Sequence, residues 1–123
     1  YPAAILIDPS DISESRSLLT GSSRNYCAAV LRYAHPVQRA MALGLLGELT
    51  FADPDAASTR TQDLPPRWHD AGQFYWGRVA AWGARIPILP NAVGYAIGAS
   101  RAIDIDTESD WVRAELLHAA TRN

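Results

Sequence analysis

Short apolar runs alternate with clusters of Pro, Gly, Asp, Ser and Asn along this chain, a pattern that predicts short strands and helices in a single mixed fold. Tyr1-Pro2-Ala3-Ala4-Ile5-Leu6-Ile7 reads as the end of a strand entering a loop. Asp8-Pro9-Ser10-Asp11-Ile12 carries turn and cap signals ahead of a short helix over Ile12–Leu19 that stops at Gly21. Ser22–Asn25 is a loop, and Tyr26–Tyr33 is an apolar run of strand length, ended at Ala34-His35-Pro36 because proline removes a ladder donor. Val37–Leu46 fits helix or strand by periodicity, and Leu46–Phe51 predicts a strand. Ala52–Pro66 is a long loop of the kind that usually carries function. Beyond it, Gln73–Gly77 predicts an aromatic strand, with Gly72 allowing a close approach, and Arg78–Ala84 a short helix. Ile86–Leu89 and Val93–Ile97 read as extended pieces split by Pro90-Asn91, and Arg101–Asp104 as a strand. Thr107–Ala120 predicts a helix whose stripe of Trp111, Val112, Leu116, Ala119 and Ala120 packs on the sheet. Strands and helices in this order point to the α/β class.

Composition narrows the chemistry. With 123 residues, 48% hydrophobic and 20% charged, the chain fits one globular domain spanning residues 1–123. A net charge of −2 gives no general attraction to nucleic acid or to an anionic membrane, so neither is an expected partner. All 11 basic residues are arginine. Without lysine there is no Schiff-base chemistry and no Walker-type phosphate lysine, so an anion must be met by guanidinium forks or backbone N–H groups. The lone cysteine, Cys27, sits in an apolar run and excludes a disulfide framework or a thiolate metal cluster. With no membrane-length apolar run and no signal-like opening, a cytoplasmic location is expected.

The densest chemical signal is Ala102-Ile103-Asp104-Ile105-Asp106-Thr107-Glu108-Ser109-Asp110-Trp111. In extended backbone, residues i and i+2 share a face, so Asp104 and Asp106 would present two carboxylates while Ile103 and Ile105 turn to the core. A hard cation such as Mg²⁺ is held by one or two carboxylates, with positions left for water and substrate phosphate. The same residues also admit a plainer reading. Thr107 and Asp110 have capping-box spacing, and acidic residues are favoured in a first helical turn, so Asp106, Glu108 and Asp110 could serve only the helix. Spacing alone leaves both readings open.

A second segment, Arg60-Thr61-Gln62-Asp63-Leu64-Pro65 followed by His69-Asp70-Ala71-Gly72-Gln73-Phe74-Tyr75-Trp76-Gly77, could bring a planar cation, amides and aromatic edges to one cleft. Such a set suits an acidic sugar: arginine grips its carboxylate, amides and a phenol read its hydroxyl or acylamido groups, and rings cover its apolar face. An Asp–Arg surface pair beside core aromatics is the structural alternative. Together with Asp104-Ile105-Asp106-Thr107-Glu108-x-Asp110-Trp111-x-x-Ala114-Glu115, these motifs resemble the carboxyl-terminal half of acylneuraminate cytidylyltransferases, in the same order. His35-Pro36-Val37-Gln38-Arg39-Ala40 and the His69–Gly77 run are similar to the pseudaminic acid branch of that family. The resemblance covers nearly the whole chain.

That resemblance implies a Rossmann-like nucleotidyltransferase fold, usually homodimeric, and a reaction joining CTP to a nine-carbon acidic sugar to give the CMP-sugar and pyrophosphate. It implies that Asp104 and Asp106 are the catalytic metal pair with Mg²⁺ as cofactor, that Arg60 and Gln62 contact the sugar, and that Tyr75 lines its pocket. Gln38, Arg39, Asp70 and Gln73, inside the same motifs, are further substrate-binding candidates. Within that chemistry the sialic acid enzyme is the alternative, and outside it a non-catalytic remnant or dimerisation module. The family's Gly-rich basic loop for the CTP phosphates has no counterpart from Tyr1 onwards, so the chain is expected to be the carboxyl-terminal portion, inactive by itself.

Overall fold

The structure is a computed structural model that describes residues 7–121. The strand end expected over residues 1–7 lies outside the described residues except for Ile7. The chain forms two compact units, one of residues up to 31 together with 70 onwards, the other of residues 32–69.

In the larger unit, helix α1 spans Pro9–Thr20, three residues earlier than periodicity places it. The reason lies in the cap. Asp8 accepts a hydrogen bond from Ser10 N at 2.9 Å, the Asp11 carboxylate returns one from Asp8 N at 2.8 Å, and Pro9 enters the first turn, where its missing N–H is harmless. Strand β1 (Tyr26–Arg32) is central, flanked by β4 (Trp68–Gly77) and β5 (Ala92–Ala96). β1 and β5 are parallel, with Tyr26 opposite Ala92 and Val30 opposite Ala96. At the end of β4, Arg78 N bonds to Asn25 O at 2.9 Å, just before β1 begins, so these two strands run antiparallel. The sheet is therefore mixed, as the α/β expectation allows. β4 starts at Trp68, earlier than the aromatic run suggests, because Gly72 at φ 62° with an Asp70 turn lets the strand continue through an irregular step.

The core of this unit gathers Ala29, Leu31, Ala71, Ile97 and Ala102, with Phe74 and Tyr95 packed against it. Gly77 is required by a second contact. A Cβ there would meet Trp82 Nε1 at 2.1 Å, and Trp82 packs edge-on to the fully buried Tyr26 at 4.9 Å between ring centroids. Helix α2 (Val79–Gly83) carries Trp82 to that position.

α1 docks through polar atoms. Its buried positions are Asp11, Ser15 and Leu19, one helical stripe, while Ile12 and Leu18 are exposed. Ser15 donates to the Asp11 carbonyl and accepts from Trp76 Nε1 at 2.9 Å. The Asp11 carboxylate accepts from Tyr95 OH at 3.1 Å and pairs with the Arg101 guanidinium. Every polar group on that stripe therefore has a partner, which removes the penalty of burying it bare.

Several sequence expectations need correction here. Ile86–Leu89 forms no strand; the chain makes a 3₁₀ turn over Leu89–Asn91 that delivers Ala92 into β5. Arg101–Asp104 is not a strand either, since only Ile103 makes an isolated bridge. Helix α3 spans Glu108–Thr121, one residue later at each end than expected, and it buries Ala114 alone among the described residues. Trp111, Val112 and Leu116 are exposed, as are Ala119 and Ala120, so the expected stripe does not cover the sheet. Periodicity marks an apolar face without saying what covers it.

In the smaller unit, the ambiguous stretch Val37–Leu46 is neither one helix nor one strand. It is a 3₁₀ turn over Val37–Arg39, then strand β2 (Met41–Leu43), paired antiparallel with β3 (Leu49–Phe51). Gly47 at φ 89° permits the connecting turn, and the Glu48 carboxylate accepts from Leu46 N at 3.1 Å. The loop expected over Ala52–Pro66 is tightened by 3₁₀ turns at Asp55–Ala57 and Thr61–Asp63.

The Asp11 carboxyl is held below the ordinary carboxylate range by the Arg101 guanidinium, against the upward push of burial. A value depressed on folding means that the stabilisation is complete above the unfolded pKa of about 3.9 and is lost as pH falls through the folded value. Asp11→Asn should therefore lower the melting temperature at pH 7, and its melting temperature should fall less than that of the unaltered chain between pH 5 and pH 2. Parallel pH–stability curves from thermal unfolding would contradict this.

Candidate functional site

The two candidate carboxylates follow the last bridged residue of the larger unit. Ala102 and Ile103 are buried, Asp104 and Asp106 are exposed and Ile105 is half-buried, so the outward alternation expected of extended backbone survives without a regular strand. Among the described residues no hydrogen bond or ion pair engages either carboxylate. Asp110, the third acid, is committed elsewhere. It accepts from Thr107 N at 3.0 Å and from Thr107 Oγ1 at 2.7 Å, while Thr107 Oγ1 accepts from Asp110 N at 3.3 Å. This reciprocal cap starts α3, and the hydroxyl bond lowers the Asp110 pKa. The alternatives that spacing left open thus divide by residue: Thr107 and Asp110 serve the cap, whereas Asp104 and Asp106 keep their oxygens for water. No group of three or more His, Cys, Asp or Glu side chains placed to hold a metal occurs among the described residues.

On β4, Tyr75 is exposed and its hydroxyl donates to the Asp70 carboxylate, whose other oxygen accepts from Gly72 N at 2.9 Å. Burial and then this carboxylate push the Tyr75 phenol up to about 12, so it is a neutral hydrogen-bonding group at physiological pH. Asp70 is the residue that orients it. Gln73 donates through Nε2 to the Arg101 carbonyl at 3.0 Å.

The other candidates belong to the smaller unit. Arg60 immediately precedes the Thr61–Asp63 turn with extended backbone, Gln62 lies on the turn, and both side chains are exposed. No hydrogen bond or ion pair among the described residues holds either. Thr61, between them, lines a cleft of about 470 Å³ together with Tyr33, His35, Arg39, Met41 and Phe51. Arg39 Nη1 donates to Thr61 Oγ1 at 3.3 Å, and Gln38 Nε2 donates to the Pro65 carbonyl at 2.8 Å, so these two fasten the turn that presents Arg60 and Gln62. The Gln38 Oε1 atom is buried without a partner among the described residues. Tyr33 packs against His69 with ring centroids 4.7 Å apart and the planes tilted by 49°. An apolar wall with a guanidinium and an imidazole at its edge matches the chemistry of a polar ligand with an apolar face. Tyr33, Met41 and Phe51 were not signalled by the sequence. Each sits in a run that reads as ordinary core, and only folding places them beside the Thr61 turn.

No helix among the described residues is long and apolar enough to cross a membrane. No family model matches the chain. Two curated proteins of Campylobacter jejuni subsp. jejuni, from serotypes O:23/36 and O:2 and both named pseudaminic acid cytidylyltransferase, are similar to it, each at 27% identity over 119 residues. The similarity covers 96% of this chain and 51% of each relative, so the chain spans about half the length of the curated relatives it matches. The resemblance carried by the His35, Arg60, His69 and Asp104 motifs is thereby borne out: over nearly all its length the chain is similar to pseudaminic acid cytidylyltransferases.

Proposed function

We propose that this chain is the carboxyl-terminal portion of a Rossmann-like cytidylyltransferase that transfers CMP from CTP to pseudaminic acid and releases pyrophosphate. The observation that carries the reading is the pair of exposed carboxylates of Asp104 and Asp106, unengaged among the described residues, beside a third acid that a helix cap holds through one carboxylate oxygen. Its support is the similarity to two proteins of that name.

The donor set fits Mg²⁺. Two carboxylates without protein partners among the described residues, and no third acidic or imidazole ligand gathered with them there, match an ion that keeps several waters and completes its shell with substrate phosphate. Held there, Mg²⁺ supplies charge neutralisation at the reacting phosphate and the departing pyrophosphate. The chain's own residues do the positioning. Arg60 and Gln62 grip the sugar's carboxylate and polar substituents, and Tyr75, fixed by Asp70, offers its hydroxyl to the sugar. Gln38 and Arg39 support the Arg60 turn from behind. The anomeric oxygen of the sugar then forms a bond to the α-phosphorus as the bond to pyrophosphate breaks, and the hydroxyl proton leaves to solvent. Positioning and electrostatics account for such a step without covalent catalysis by the protein.

The same reading includes a homodimer. Among the described residues β2 and β3 pair only with each other, and Met41, Leu43, Leu45, Leu46 and Leu49 are all exposed, Leu45 completely. An isolated two-stranded hairpin is marginal in water, and exposed apolar strands with free edges invite pairing. Glu48 is the sole ionisable residue from Met41 to Phe51, so the surface is largely apolar. A second copy is the occupant that this chemistry fits.

In the full-length protein, Asp104→Asn and Asp106→Asn should each lower CMP transfer roughly 100-fold or more, because several kcal/mol of charge stabilisation is withdrawn, with the fold retained. Unaltered Mg²⁺-dependent turnover would sink the metal assignment. Arg60→Ala should raise the KM for the acidic sugar about tenfold with a smaller change in kcat, consistent with loss of one charge-assisted contact; comparing pseudaminic with sialic acid in the same assay identifies the sugar. Leu45→Glu together with Leu46→Glu should shift the protein to monomer in size-exclusion chromatography with light scattering. An unchanged dimer would move the interface away from the hairpin.

A further inference from the structure

Asp104 and Asp106 stand on a segment anchored at both ends. Downstream is the Thr107–Asp110 cap, to which Asp106 N also donates at 3.3 Å. Upstream is Arg101, three residues before Asp104 and held in several ways. Its N–H bonds to the Gly98 carbonyl at 2.9 Å, closing a turn. Its own carbonyl accepts from Gln73 Nε2 at 3.0 Å. Its guanidinium forks onto Asp11, with Nη1 3.1 Å from Oδ1 and Nη2 on Oδ2. The Arg101 side chain is 30% exposed while that of Asp11 is 3% exposed, so the anion is the buried partner and depends on the cation for its charge. Ala102 and Ile103 then enter the core, fixing the backbone up to the first carboxylate.

We propose that Arg101 is a positioning residue for the Asp104–Asp106 pair, locked by Asp11 of α1 and Gln73 of β4. The inference rests on the reading that this pair holds a divalent cation. Two like charges on a slack loop repel each other and must be ordered at the moment of binding, which lowers affinity; a loop pinned at 101–103 and again at 107–110 is ordered beforehand. Partners that orient metal ligands from outside typically alter metal affinity 10–100-fold when removed. Asp11 reaches the carboxylates only through Arg101, so its effect on the metal is indirect.

The test uses Mn²⁺ as probe, titrated by electron paramagnetic resonance into the unaltered chain and into Arg101→Met, Asp11→Asn and Arg101→Lys, with amide exchange followed over residues 102–106 in metal-free protein. Asp11→Asn keeps the side chain's shape and covers the case in which Arg101→Met fails to fold. Mn²⁺ binding about tenfold weaker in Arg101→Met and Asp11→Asn is expected, with exchange over 102–106 faster by a similar factor and Arg101→Lys intermediate. A lowered melting temperature with Mn²⁺ affinity and exchange unchanged would reduce Arg101 to a strut of the fold and overturn the proposal. If instead Asp104→Asn binds Mn²⁺ as tightly as the unaltered chain, the metal reading itself fails, and the positioning role fails with it.

Discussion

The larger unit is organised around one ion pair. Asp11 on α1 is buried, and Arg101, ninety positions later, is the cation that makes its burial tolerable. A carboxylate taken from water without a partner would shift to its neutral form or pull its helix off the sheet. Once Asp11 is paired, the rest of the α1 stripe follows from polar satisfaction. Ser15 closes on the Asp11 carbonyl, Trp76 donates to Ser15, and Tyr95 reaches both Asp11 and Glu14. The aromatics are therefore dual-purpose. Phe74 and Tyr95 pack 6.2 Å apart against small core residues, while Tyr95 and Trp76 hand polar atoms to the helix. Two strands and a helix are tied through side-chain heads as well as through apolar bodies.

The carboxylates of this chain divide by the company they keep. Asp8, Asp11 and Asp110 each accept backbone N–H groups at a helix start, and each is held in its charged form by those bonds or by a cation. Asp104 and Asp106 have neither among the described residues. A structural acid is recognised by oxygens that the protein itself engages. The same contrast runs through the arginines: Arg78 spends its donors on the carbonyls of Leu19, Ser22 and Arg24, whereas the exposed Arg60 side chain has no partner among the described residues.

Much of the fold was legible because local signals agree with tertiary packing. The Asp8-Pro9 cap, the apolar run of β1, the strand at β5 and the Thr107–Asp110 box all announce themselves within a few residues. What stayed hidden depends on distant partners. Nothing near Asp11 distinguishes it from a solvated first-turn acid, and nothing near Arg101 marks it as that acid's counterion. The apolar stripe of α3 was legible as a pattern, yet Trp111, Val112 and Leu116 remain exposed, and Ala114 is the one buried position of the helix among the described residues. Of the candidate site, the exposure of Asp104 and Asp106 follows from the alternation with Ile103 and Ile105. The fastening of Gln38 to Pro65, and of Tyr75 to Asp70, required the folded chain.

Cys27 lies in the middle of this arrangement, wholly buried in β1, and burial raises its thiol pKa. It is the chain's only sulfhydryl and is kept in the unreactive protonated form as long as the sheet is closed. A thiol reagent reaches it only after β1 has parted from its neighbours. The protein thus carries an intrinsic clock for its own opening: the rate at which its thiol is consumed reads how often the central strand comes free, with no label added.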